Sequence, residues 1–255
     1  MSVCFSIDHL SVRFGGLKAI DDFSMQVRRG SIHALIGPNG AGKSTVFNCI
    51  SRFVRPHQGR IDFDGRDLLG LPAHGVVAAG IGRTFQNLEL LRRMTVLENV
   101  LVGLTTHVPG YLAFAPGRGR SRAEAAAVRQ AEAILDETSL AEYRDTPAGA
   151  LDFGHQKLLD LARALAGRPR LLLLDEPAAG LRNREISFVD QLLLRLVRDR
   201  GLTIVLVEHV MPLVMSVADE ITVLNFGHKI AAGAPADIRR HPAVIEAYLG
   251  SPADA

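Results

Sequence analysis

The sequence has no tryptophan, only two cysteines, and aromatic residues at just 5% of its 255 positions. Each shortage excludes something. Cys4 and Cys49 cannot build a disulfide framework, and their spacing suits no metal site. Cys49 is expected to be a small buried apolar residue, and a reducing compartment fits such a chain. Neither sign of charge prevails: 29 Lys and Arg stand against 27 Asp and Glu, a formal net charge of +2. Whole-chain electrostatics therefore argue for no nucleic-acid partner. Apolar runs fall far short of the ~20 residues that span a membrane. The run from Leu202 to Val207 stops at Glu208-His209. No charged, apolar and small-residue leader opens the chain. The expectation is a cytosolic protein that reaches a membrane only by docking on another protein.

What is present centres on Gly37-Pro38-Asn39-Gly40-Ala41-Gly42-Lys43-Ser44-Thr45. An apolar run, Ile32 to Ile36, precedes it, and a helix-like segment follows. Strand, glycine-rich turn and helix are the context of a phosphate-binding loop. Gly37, Gly40 and Gly42 let backbone N–H groups turn inward toward phosphate oxygens. The helix that follows points its positive end at the same place. Lys43 supplies a charge for the β- and γ-phosphates, and Ser44 offers a hydroxyl to Mg²⁺. The reading is a nucleoside-triphosphate site.

Alternation over residues 5–14 and a strand-like segment at 19–27 predict an antiparallel ribbon. Ile61 and Phe63 mark another short strand, and 81–85 a further one. Thr95 with Glu98 reads as a capping box opening a helix over 95–103. Residues 105–120 hold several Gly and Pro and read as a loop. Ser121 with Glu124 is expected to cap a helix running to about Glu137, and a third helix spans about 152–166. Leu171 to Leu174 reads as a central parallel strand buried on both faces. A helix closed by Gly201, a strand at 203–207, a hairpin at 221–232 and two short helices follow. The fold class is therefore α/β. Residues 1–85 and 167–232 form the nucleotide-binding core, 86–166 a helical insert, and 233–255 a helical tail.

Asp175 ends the buried strand, where P-loop proteins place the acid that holds Mg²⁺. Glu176, one step on, is placed to accept a proton from an attacking water.

The phosphate loop, Gln86 at a strand end, Leu151-Asp152-Phe153-Gly154-His155-Gln156 before a helix, Leu-Leu-Leu-Leu-Asp-Glu-Pro, and Glu208-His209 together resemble the ATPase subunits of ABC transporters. Order and spacing match along nearly the whole chain. The resemblance implies a RecA-like core with an antiparallel β subdomain and an inserted α-helical subdomain. It implies that Phe14 stacks on adenine and that His209 is a switch at the γ-phosphate. Gln86 would touch Mg²⁺ and the attacking water. Asp152, Gly154 and His155 would lie in the signature motif, which covers the ATP bound to a second ATPase subunit. Phe14-Gly15-Gly16-Leu17-Lys18-Ala19, Gly82 to Asn87, Met94 to Gly103 and Ala247-Tyr248-Leu249-Gly250 are similar to the larger ATPase subunit of Liv-type branched-chain amino acid importers. That implies two membrane permease subunits, an extracytoplasmic solute-binding protein, and a place on the inner face of the membrane.

Two segments depart from the family. Asp152 stands for the usual Ser and His155 for the usual Gln. Arg182-Asn183 replaces Asp or Asn followed by Pro. Asp is as good an N-cap as Ser, yet adds a carboxylate where a partner's γ-phosphate is expected. These departures motivate an alternative: a nucleotide-binding regulatory subunit with weak hydrolysis. An ABC-type ATPase of DNA repair or translation fits poorly with a single cassette and little excess charge. A GTPase would need an Asn-Lys-x-Asp motif, which is missing.

Overall fold

A computed structural model describes residues 2–86, 88–105 and 118–249. Residues 3–28 fold as a long ribbon, β1 (Val3–Phe14) and β2 (Leu17–Arg28), turning at Gly15-Gly16. After β3 (Ile32–Ile36) and α1 (Lys43–Ile50), the chain returns to that ribbon with β4 (Gln58–Phe63) and β5 (Arg66–Asp67). The result is a four-stranded antiparallel sheet in the order β2-β1-β4-β5.

The remaining elements are α2 (Ala73–Ala78), β6 (Ile81–Arg83), α3 (Val96–Leu104), α4 (Arg118–Glu137), α5 (Phe153–Ala166), β7 (Leu171–Asp175), α6 (Asn183–Arg200), β8 (Thr203–Val207), α7 (Met211–Val217), β9 (Glu220–Asn225), β10 (His228–Gly233), α8 (Pro235–Ile238) and α9 (Pro242–Leu249). The second sheet runs β10-β9-β3-β8-β7-β6, parallel except at the β10 edge. Every residue of β3, β7 and β8 is buried, as suits largely apolar strands covered on both faces, with His33, Asp175 and Thr203 as the polar exceptions.

The pleat divides these strands between two cores. Leu171, Leu173, Val205 and Val207 face α1 and the antiparallel sheet. Leu172, Leu174, Ile204 and Leu206 face a second core built from α3, α4, α5 and α6. A smaller cluster joins Ala34, Ile36, Ile221 and Val223 to Val214, Ile238 and Val244. Among the described residues, no helix is long and apolar enough to cross a membrane.

Some local expectations need correction. The strand expected at 81–85 ends at Arg83, because the Phe85 N–H turns away to the Asp160 carboxylate. The helix expected to be capped by Ser121 begins at Arg118, so Ser121 lies within it and not at its start. Of the loop expected at 105–120, residues 118–120 instead belong to α4, and 106–117 lie outside the described residues. Helices α2 and α7 were not anticipated. By contrast, the Thr95 box is present: Thr95 Oγ1 accepts from the Glu98 N–H at 3.1 Å, and Glu98 Oε2 accepts from the Thr95 N–H at 2.8 Å.

His33 makes this core sensitive to acid. It sits on β3, 2% exposed, with Nε2 2.8 Å from Thr222 Oγ1. Burial, with Arg28 and Lys229 nearby, lowers its pKa from 6.5 to about 4. The folded state thus holds His33 neutral, and its contribution is complete above pH 6.5. It is lost as pH falls through about 4. The full difference is about 3 kcal/mol. Urea midpoints at pH 7 and pH 4.5 should fall further apart in the parent than in His33→Gln; equal differences would sink this account.

Candidate functional site

β3 delivers the glycine-rich loop to the start of α1. Gly37 has φ 153°, and a Cβ there would meet the Leu224 carbonyl oxygen at 1.9 Å. Gly42, φ 110°, precedes α1, and a Cβ there would lie 2.5 Å from Ile20 Cδ1. Gly42 also leaves the helix without a side-chain cap. The first N–H groups of α1 are therefore open to an anion. Lys43 is 6% exposed, and its Nζ donates to the carbonyls of Gly37 at 2.7 Å and Pro38 at 2.9 Å. Burial lowers its pKa, while Glu176 and Asp175 pull it back up. Ser44 is exposed beside it, and Thr45 is half-buried.

Three expected residues meet over this loop. Glu176 Oε2 accepts from Gln86 Nε2 at 3.1 Å, and Oε1 lies 2.6 Å from His209 Nε2. They come from the ends of β6, β7 and β8, which are neighbours in the parallel sheet. Glu176 holds φ 51°, a left-handed conformation that costs a non-glycine residue about 1–2 kcal/mol. Its N–H donates to Val207 O at 2.8 Å, and its own carbonyl accepts from Lys157 Nζ at 2.7 Å. Backbone on both sides thus fixes this strained position. All three side chains line a cleft of about 470 Å³ with the phosphate loop, Phe14, Leu17 and Phe226.

Asp175 lies beneath, 5% exposed. Burial raises its pKa, opposed by Arg83, whose guanidinium is 3.2 Å away. Arg83 also donates to Asn48 Oδ1 at 3.0 Å and Ser51 Oγ at 2.9 Å, and packs against the rings of Phe47 and Phe85. Reasoning from sequence missed Arg83. It missed Lys157 as well, and it reached Glu208 only as the neighbour of His209. Glu208 is fully buried, and its carboxylate accepts from the N–H groups of Ala178, His209 and Val210 at 2.6, 2.7 and 3.0 Å. It ties the loop after β7 to the loop after β8. Sequence signals existed: an Arg inside a short apolar strand, and an acid directly after a buried one.

Arg83→Met should leave Asp175 as an uncompensated buried charge and destabilise the fold by about 3 kcal/mol. Denaturant titration checks this. A loss under about 1 kcal/mol would mean that the aromatic packing, not the ion pair, fixes Arg83.

Asp152, Gly154 and His155 are not in this cleft. They lie at the start of α5, where Gly154 and His155 line a separate depression with Leu181, Arg184 and Glu185. Asp152 caps α5: its Oδ1 accepts from the His155 N–H at 2.9 Å and lies 2.7 Å from His155 Nδ1. The His155 backbone bond, then the His155 side chain and Arg182, hold its pKa below the usual carboxylate value. The carboxylate is thus engaged within its own turn. A Cβ on Gly154 would lie 2.7 Å from Glu185 Oε1, whose other oxygen accepts from the Arg182 N–H at 2.6 Å.

The cleft suits a polyphosphate: open helix N–H groups, glycines packed against backbone, and one buried ammonium. Among the described residues, no group of three His, Cys, Asp or Glu could hold a metal alone. A hydroxyl, an amide and a carboxylate from Ser44, Gln86 and Asp175 do fit Mg²⁺, which takes few protein oxygens beside phosphates.

Comparisons with known proteins agree with this geometry. Residues 20–179 match the family model described as ABC transporter, and residues 228–254 the one described as branched-chain amino acid ATP-binding cassette transporter. The chain is 43% identical to the high-affinity branched-chain amino acid transport ATP-binding protein BraF of Pseudomonas aeruginosa, over 96% of each chain. It is 41% identical to the LivG protein of Escherichia coli, over 96% of this chain and 97% of that one. A solved ATP-binding cassette of an ABC transporter, in its ADP conformation, superposes with a TM-score of 0.85 at 31% identity, covering 98% of this chain and 100% of that one. A nucleotide-free cassette superposes with a TM-score of 0.84 at 30% identity, with the same coverage.

Proposed function

The chain belongs to the ATP-binding family of ABC transporters, and on that premise we propose that it is the ATP-hydrolysing motor of an importer for branched-chain amino acids or related small solutes. The observation that carries the reading is the Gln86–Glu176–His209 group standing over the phosphate loop.

When bound, ATP supplies the phosphoanhydride, with Mg²⁺ offsetting its charge. Lys43 and the N–H groups from Gly40 to Thr45 hold the phosphates. Ser44, Gln86 and Asp175 hold the metal. Glu176 takes a proton from the attacking water, and its bond to His209 orients that carboxylate. His209 acts as the switch beside the γ-phosphate. Phe14 stacks on the base. Asp152, Gly154 and His155 face the nucleotide of a second ATPase subunit, a paralogue or another copy, in a head-to-tail pair. Two permease subunits carry the membrane path, an extracytoplasmic protein delivers the solute, and the motor sits on the inner membrane face.

Reconstitution in proteoliposomes with two permease subunits and a solute-binding protein of the Liv type tests the reading. Labelled leucine should accumulate only with ATP on the motor's side, and Lys43→Ala should abolish uptake. ATP-driven uptake of urea and not leucine would overturn the solute assignment. Uptake indifferent to Lys43→Ala would overturn the motor.

A further inference from the structure

Phe226 breaks two local rules at once. It occupies a two-residue turn with Gly227 between β9 and β10, flanked by the paired Asn225 and His228. Both turn residues have positive φ, 44° and 80°. Turns of this shape favour Asn or Asp before Gly, because a left-handed Phe costs about 1–2 kcal/mol. The ring is also 83% exposed. A single exposed apolar side chain is ordinary on a free surface. This one lines the cleft that holds the phosphate loop, Glu176 and His209.

The turn is held in place. The Gly227 N–H donates to Ala41 O at 2.9 Å, inside the phosphate loop. The Gly227 carbonyl accepts from the Asp21 N–H at 2.9 Å, and a Cβ on Gly227 would lie 2.8 Å from Ala19 O. His228 Nε2 lies 3.7 Å from the Asp21 carboxylate. Phe226 is therefore fixed to the same segment, Leu17 to Asp21, that follows Phe14. Phe14 is 50% exposed into the same cleft. Two exposed rings, one at the end of β1 and one in the β9–β10 turn, line the cleft that holds the phosphate loop. Aromatic rings left largely open beside such a site suit a planar base, since every base offers a π-face.

We infer that Phe226 is a second base-binding residue, taking the nucleobase together with Phe14. This rests on the reading of the cleft as the ATP site. The base would be recognised by its flat face, so purine should bind better than pyrimidine, and larger π-surface should matter more than the exocyclic groups.

The absence of tryptophan supplies the test. Phe226→Trp makes a chain with a single indole at the turn. Saturating ADP should change its emission, and inorganic pyrophosphate, which lacks a base, should not. Phe226→Ala should raise the Kd for ADP about tenfold and leave the Kd for pyrophosphate unchanged, with Phe226→Tyr restoring the parent value. Emission unmoved by saturating ADP, with Phe226→Ala binding ADP within twofold of the parent, would overturn the inference. Lys43→Ala separates the two levels. If it weakens both ligands while Phe226 variants change neither, only the role of Phe226 falls. If Lys43→Ala weakens neither ligand, the nucleotide site itself is misplaced, and the inference falls with it.

Discussion

Glu176→Gln is expected to slow ATP turnover by about a hundredfold or more while nucleotide still binds. Gln keeps the length of the side chain and can still meet Gln86 and His209, at 3.1 and 2.6 Å in the parent. It cannot accept a proton. The backbone anchors at Val207 and Lys157 do not involve the carboxylate, so the strained turn should survive. Phosphate release measures the turnover, and a rate equal to the parent would remove Glu176 from the mechanism. The same variant with Mg-ATP should form a stable pair, read by mass in solution. A pair would show that Asp152 and His155 serve as a working signature on an identical partner. A monomer that still binds ATP would place the second nucleotide-covering surface on a different subunit.

The second large effect concerns the phosphate loop itself. Gly37→Ala should abolish ATP binding and lower Tm by about 6–10 °C, as expected for about 3 kcal/mol in a chain of this size. Its Cβ would sit 1.9 Å from the Leu224 carbonyl, and β9 cannot retreat because it is paired with β3 and β10. Gly40→Ala is the control. Its φ is 78°, yet no atom lies within 4 Å of the added Cβ. A conformational penalty of about 1 kcal/mol alone predicts a fall of about 2–4 °C. Equal shifts in calorimetry would show that steric contact with Leu224 does not set the requirement for glycine at Gly37.

The contrast between these glycines shows where sequence reading stops. The pattern announces that glycines are needed, but not which one abuts backbone from a strand 180-odd residues away. Largely apolar runs disclosed β3, β7 and β8, because burial on both faces leaves a local mark. Helices α2 and α7, of six and seven residues, leave no such mark. Arg83 left a mark, as an Arg inside a short apolar strand, but its role could not be read from that mark. Its partners Asn48, Ser51 and Asp175 become neighbours only through the strand order β8-β7-β6 and the packing of α1. Gln86, Glu176 and His209 could be proposed one by one from their motifs. That two of them bond to the third follows from the parallel sheet, which aligns strand ends far apart in the chain.

Helix α5 carries a consequence for timing. Its cap, Asp152, belongs to the surface proposed to cover the partner's nucleotide. Further along the same helix, Lys157 bonds the Glu176 carbonyl and Asp160 accepts from the Phe85 N–H beside Gln86. Asp152 and Asp160 are separated by about 12 Å of continuous helix. On the proposed reading, one continuous helix would touch both nucleotide sites. In a paired assembly, displacement of Gln86 or Glu176 at one site would tilt the element offered to the other. Turnover should then rise more steeply than linearly with ATP concentration, and a helix-breaking glycine between Asp152 and Asp160 should flatten that curve before it lowers the maximum rate.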